Sequence, residues 1–258
     1  MKLYWRYFMI HLKSQMQHKT SFLMLIVGQF LATFTAFLGM YYMMARFQQI
    51  DGFTLNEVLI SFSIITLAFA LAEMFARGFD SFAILIGNGE FDRMLVRPQN
   101  LVLQVLGSRN ELSRIGRLIQ ALLIFGYVLP NSDIQWTGLK LLTLCFMIIG
   151  GVIVFSSLFL LYASLCFFTI EGLEFINIFT DGGREFGQYP FSIYGEAVLK
   201  FLTFIVPLAL VQYYPLLFLL GRSQNTFFVF VPLIACLFIF PCYGMWRFGL
   251  KHYQSTGS

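Results

Sequence analysis

Residues 139–168 read LKLLTLCFMIIGGVIVFSSLFLLYASLCFF and hold one charge, Lys140, at their start. A helix crosses a bilayer with about 20 apolar residues, so this block is long enough to span and too continuous to be the alternating strand of a barrel. Lipid supplies no hydrogen bonds, and a helix answers that by satisfying its own backbone.

Similar blocks lie on both sides. Residues 21–45, 55–75 and 226–248 are clear, while 115–129 is short and 199–220 is interrupted by Pro207 and Pro215. Together they predict six transmembrane helices in one all-α membrane domain, residues 1–258. The composition agrees: 58% of residues are hydrophobic and 12% charged, against about 25% charged in a soluble domain. The first block is too long for a signal-peptide core, and no small-residue cleavage site follows it, so it is expected to remain in the mature chain.

Basic residues orient the bundle. Lys2, Arg6, Lys13 and Lys19 precede the first block; Arg77, Arg93, Arg97, Arg109, Arg114 and Arg117 lie between the second and third; Arg247 and Lys251 follow the last. The opposite side receives Arg46, Lys140 and Arg222, and Arg184 and Lys200 fit either side. The positive-inside rule therefore predicts that both termini and the 76–117 segment are cytoplasmic. Basic side chains in the cytoplasmic headgroup layer account for the net charge of +4, and membrane lipid rather than nucleic acid is the expected partner.

Chemistry-bearing motifs are sparse. Cys145, Cys166, Cys236 and Cys242 fall within predicted spans as packing residues, and His11, His18 and His252 are scattered in the terminal segments. No metal, cofactor or disulfide is expected. The sequence contains neither a phosphate loop nor a nucleophile elbow, so it is not expected to hydrolyse ATP by itself.

The polar stretch Gly87-Asn-Gly-Glu-Phe-Asp-Arg-Met-Leu-Val-Arg-Pro98 stands out in this apolar chain. Gly87-Asn88-Gly89 reads as a turn, with Asn88 capping a helix whose first turn carries Glu90 and Asp92. Pro98 stops that helix after about two turns. Phe91, Met94 and Leu95 share one face, flanked by Asp92, Arg93 and Arg97. Such an apolar knob suits either the headgroup layer or a groove on a soluble partner.

The chain as a whole resembles the membrane subunits of type II ABC transporters, the exporter-like permeases. It is most similar to a bacterial subfamily of permease components without assigned cargo. The resemblance rests on an amphipathic N-terminal helix (residues 1–19), six spans, and four stretches in order. These are GEFDRMLVRP (89–98), GGREFGQYPFSIYG (182–195), FIVPLALVQYYP (204–215) and the ending GLKHYQSTGS (249–258). It implies an interfacial N-terminal helix and a cytoplasmic coupling helix, Glu90 to Val96, between spans 2 and 3. That helix would dock a separate ABC ATPase subunit. A second copy or a related permease would complete the pathway, in a bacterial plasma membrane.

The segment 170–200 has two threadings. Hydropathy makes it a cytoplasmic loop followed by a fifth span at 199–220. The resemblance also permits 170–188 to rise as a polar fifth span, with 191–220 forming a proline-broken re-entrant element. Glu174, Asp181, Arg184 and Glu185 would then be pathway candidates, because acids within a span must face a cavity or a partner. The competing functional class is an ATP-independent secondary transporter or membrane scaffold. The clear spans offer little midplane charge for ion coupling, since Glu57, Glu73 and Lys140 fall near predicted span ends.

Overall fold

A helix buried on nearly every side organises the protein. The computed structural model describes residues 2–47, 49–132, 134–169 and 176–254. α1 (Lys2–Gln17) and α2 (Lys19–Phe47) lead into a two-stranded hairpin, β1 (Gln49–Ile50) and β2 (Phe53–Thr54). Asp51 and Gly52 turn it with φ of 51° and 74°, the left-handed pair that a two-residue hairpin needs. α3 (Leu55–Asp80) starts directly after it, where the Glu57 carboxylate accepts the Thr54 N–H at 2.8 Å and closes the first turn. From Val58 to Ala70 every residue of α3 is buried, which is why its sequence is apolar all round.

Three elements follow at one end of the bundle: α4 (Phe82–Gly87), α5 (Glu90–Leu95) and α6 (Leu101–Ser108). α7 (Ile115–Val128) then runs back along α3. Arg117 meets Glu73 at one end, and Asn56 donates to the Asn131 carbonyl at 2.8 Å at the other. α8 (Gly138–Leu165) returns, with Phe155 against Phe69 at 4.9 Å between ring centroids. α13 (Val231–Ala235) and α14 (Ile239–His252) descend beside α8 and bring Trp246 onto Phe79 at 5.9 Å.

Two apolar clusters form the core. One gathers Phe69, Phe155, Phe159, Phe91 and Trp246 towards the α5 end. The other gathers Met40, Phe62, Met147 and Leu216 towards the hairpin end. α1 lies against the α5 end: Tyr4 donates to the Phe75 carbonyl at 2.9 Å, His11 meets the Gly107 carbonyl at 3.1 Å, and Gln15 donates to the Asn110 carbonyl at 2.8 Å. Where α6 crosses α3, a side chain on Gly78 would run into the Val105 carbonyl.

The predicted span list is matched in part. Among the described residues four helices are long and apolar enough to cross a membrane: Lys19–Phe47, Leu55–Gly87, Gly138–Leu165 and Val231–His252. At the predicted, proline-interrupted span 199–220 the structure has a broken pair of helices. α10 (Glu196–Phe204) bends by 85° into α11 (Leu208–Val211) and α12 (Tyr213–Leu219). Pro207 opens that break, since proline cannot donate into a helix ladder.

The 177–187 segment is not a solvated loop. It forms α9 (Asn177–Gly187), which lies along α3: Arg184 sits 5.3 Å from the Phe69 ring centre, and Ser61 donates to the Gly187 carbonyl at 3.1 Å. Gln212 reaches Ser61 and the Tyr189 carbonyl, so the broken pair packs beside the top of α9. A helix packed along α3 is what the second threading requires of this segment. Hydropathy misses it because the buried face of α9 is built from Thr180, Gly183 and Gly187, small residues that carry little apolar signal.

Candidate functional site

Two arrangements share the α5 end: the short helix itself, and a buried ionic network beneath it. α5 begins at Gly89, whose φ of 66° turns the chain between helices without a side-chain cap. Asn88 ends α4 instead, its N–H directed to the Ile84 carbonyl at 3.0 Å, so the expected cap is one residue early. Glycine fits here because the left-handed region is open to it at no steric cost. After Leu95 the chain passes Pro98, and the Asn100 side chain caps α6 by accepting the Leu103 N–H at 3.3 Å.

Phe91 does not belong to an outward knob. It is fully buried, 0% exposed, with its ring 4.9 Å from Phe82, 5.1 Å from Tyr253 and 5.6 Å from Phe167. Met94 is half-buried over the same cluster. The i, i+3, i+4 rule identifies residues that share a face, but not which way that face points; here the face turns inward to an aromatic bed. Asp92 accepts the Tyr253 hydroxyl at 3.0 Å. Burial and that bond push the Tyr253 pKa up to about 12, so Tyr253 remains a donor throughout the physiological range. The outward surface is made by Arg93, Leu95, Val96 and Arg97, with Val96 83% exposed. Glu90 stands half-buried at the start of the helix.

The ionic network centres on Glu73, which is 1% exposed. Three arginines reach its carboxylate: Arg117 from α7, and Arg77 and Arg114 each at 3.2 Å. Glu111 joins Arg114 at 2.8 Å and Arg109 at 3.1 Å, while Asp80 holds Arg77 at 3.1 Å. Arg117 also donates to Gln29 of α2 at 3.2 Å. A buried charge without partners would cost several kcal/mol, so these groups hold one another at this depth. Their spacing gives a physical signal: Glu73, Arg77 and Asp80 are one turn apart on a single helix, and Arg109, Glu111, Arg114 and Arg117 follow in the segment that folds back over it.

The pathway candidates come partly together. Asp181, Arg184 and Glu185 lie on α9, with Arg184 paired to Glu185 and Gln188 donating to Glu185 at 2.9 Å. Arg117 and Arg184 both approach the Phe69 ring, at 5.5 and 5.3 Å. Asp181 is exposed yet lies within electrostatic reach of Glu73 and Arg77. Glu174 lies outside the described residues. Sequence reading missed Glu73, Arg114 and Arg117 as a unit. Nothing in this cluster is a nucleophile paired with a base; it is an ionic tie joining α2, α3, α6's following turn and α7.

The family model described as ABC-2 family transporter protein matches residues 30–257. The chain belongs to that family. An ABC-2 permease is a membrane subunit of an ABC transporter and not itself an enzyme. The match takes in α5, the Glu73 network, α9 and the broken helix pair, and leaves out α1. No curated protein and no solved structure matches this ABC-2 permease.

Proposed function

We propose that this ABC-2 permease forms half of an ATP-driven exporter, in the plasma membrane of a bacterium with both termini cytoplasmic, and that α5 is its coupling helix. The observation carrying the proposal is the two-sided build of α5. Phe91 fixes it into the aromatic bed below, and Arg93, Leu95, Val96 and Arg97 project from it. A short apolar tip ringed by arginines suits a groove on a separate ATPase. Glu90, Asp92 and Met94 complete the docking helix by framing its base.

Force on α5 would travel through α6 to Glu111, and from there through Arg77 and Arg114 to Glu73 on the central helix. α7, seated along α3 from Glu73 to Asn56, and α9 would complete six crossings with the four long helices. Asp181 and Glu185 are exposed on a helix packed within an apolar bundle. Exposed acids at that position call for water or a partner, so we assign Asp181, Arg184 and Glu185 to the wall of a pathway shared with a second copy or a related permease.

The test is reconstitution in vesicles, alone and with candidate ABC ATPase subunits from the same organism. The permease alone should hydrolyse no ATP; the complex should hydrolyse it, with permease and ATPase in equal proportion. Failure of any ATPase to co-purify would sink the docking role of α5. Cargo moving towards the ATPase side would overturn export.

A further inference from the structure

A cleft of about 540 Å³ opens on the flank of the bundle at the α5 end, between α1, α3, α6, α8 and α14. Its walls include Tyr4, Phe79, Leu106, Ser156, Phe240 and Tyr243. The volume is that of a small-molecule site, but the walls offer almost no polar atoms. The Tyr4 hydroxyl is engaged by the Phe75 carbonyl, and Ser156 Oγ by the Val152 carbonyl at 2.6 Å. The occupant is therefore hydrocarbon over most of its length. Phe240 and Tyr243 are exposed at the rim, so the cleft is open sideways to the bilayer.

The end of α14 supplies the rest. Ile239 and Tyr243 line the cleft, and Arg247 and Lys251 continue the same i, i+4 row towards the end of the helix. Both cations are exposed, and neither forms an ion pair among the described residues. Exposed cations at the headgroup level, one and two turns beyond an apolar cleft, match an anionic head above an acyl chain. We infer that this cleft binds one anionic phospholipid from the leaflet at the α5 end, with an acyl chain against Phe79 and Leu106 and its phosphate at Arg247 and Lys251.

The inference needs the chain to sit in a bilayer, but it does not depend on ATPase docking or on the direction of transport. Its test is native mass spectrometry of the purified, delipidated full chain, titrated with phosphatidylglycerol or phosphatidylcholine of matched acyl chains. Two cations near the surface should favour the anionic lipid roughly thirtyfold for the first equivalent bound. Arg247→Gln with Lys251→Gln, both exposed positions, should remove that preference and leave weak binding of either lipid. Ser156→Phe, which fills the cleft from α8, should remove the first equivalent of both. Equal binding of the two lipids by the unaltered chain would overturn the inference. So would a full, selective first equivalent in a folded Ser156→Phe chain, or a Ser156→Phe chain that keeps its lipid and loses self-association instead.

Discussion

Arg117 on α7 closes onto the Glu73 carboxylate of α3, 44 positions earlier in the chain, and both side chains are withdrawn from solvent. The pair is asymmetric. Glu73 is shared by three arginines, whereas Arg117 has Glu73 and Gln29. Glu73→Gln leaves three buried or half-buried guanidinium groups facing a neutral amide, and should destabilise the permease by about 3–5 kcal/mol. Arg117→Met leaves Arg77 and Arg114 on the carboxylate and should cost less. Thermal unfolding in detergent checks the order, and an equal or reversed loss would mean that Glu73 is not the centre of the network.

Gly78 gives a test with an inverted sign. An alanine within a helix normally stabilises it by about 1 kcal/mol relative to glycine. At Gly78 the added methyl would run into the Val105 carbonyl, whereas at Gly28 of α2 nothing lies within 4 Å. Gly78→Ala should therefore lower the melting temperature and Gly28→Ala should leave it level or raise it. A stabilised Gly78→Ala chain would mean that α6 does not cross α3 at this point.

Topology can be read by labelling single cysteines in a chain freed of its four native ones. Arg93→Cys and His252→Cys should react from the cytoplasm, and Ser132→Cys from outside. Glu196→Cys decides between the two threadings. α9 runs along α3 from the Glu73 end towards Ser61, so α10 starts near the hairpin end and Glu196→Cys should be labelled from outside. Labelling from the cytoplasm would restore residues 170–198 as a loop.

The readable part of this fold is the part that lipid enforces. α2, α3 and α8 appear in the sequence as unbroken apolar runs, because any polar interruption facing hydrocarbon would be costly. α9 hides for the opposite reason. Its contacts with Ile65, Phe155 and Leu208 are made by Gly183 and Gly187, while Asp181, Arg184 and Glu185 lower its hydropathy. Glu73 and Arg117 look like independent interfacial charges until the turn at residues 109–114 brings α7 back over α3. At α5 the punctuation was legible, Gly89 in front and Pro98 behind. The direction of Phe91 was not, since it is set by Phe82, Phe167, Trp246 and Tyr253 from three other parts of the chain.

That direction separates two kinds of α5 mutant. Phe91→Ala empties a fully buried aromatic site and should destabilise the permease itself by about 3–5 kcal/mol, with or without an ATPase present. Leu95→Asp with Val96→Asp changes only exposed positions, so the isolated permease should unfold at its usual temperature. If these two side chains enter a groove on the ATPase, each contributes as an interface hot spot of roughly 2 kcal/mol or more, and charge there lacks a partner once desolvated. Co-purification of the ATPase should then fall by two orders of magnitude or more in the double variant, and ATP hydrolysis by the complex should fall with it. Arg93→Gln with Arg97→Gln should weaken docking less and make it less sensitive to salt, since exposed charges act mainly on encounter. Undiminished ATPase recovery with the Leu95 and Val96 double variant, in a permease whose melting temperature is unchanged, would remove α5 as the docking element and leave α1, latched beside it through Tyr4, His11 and Gln15, as the next surface to probe.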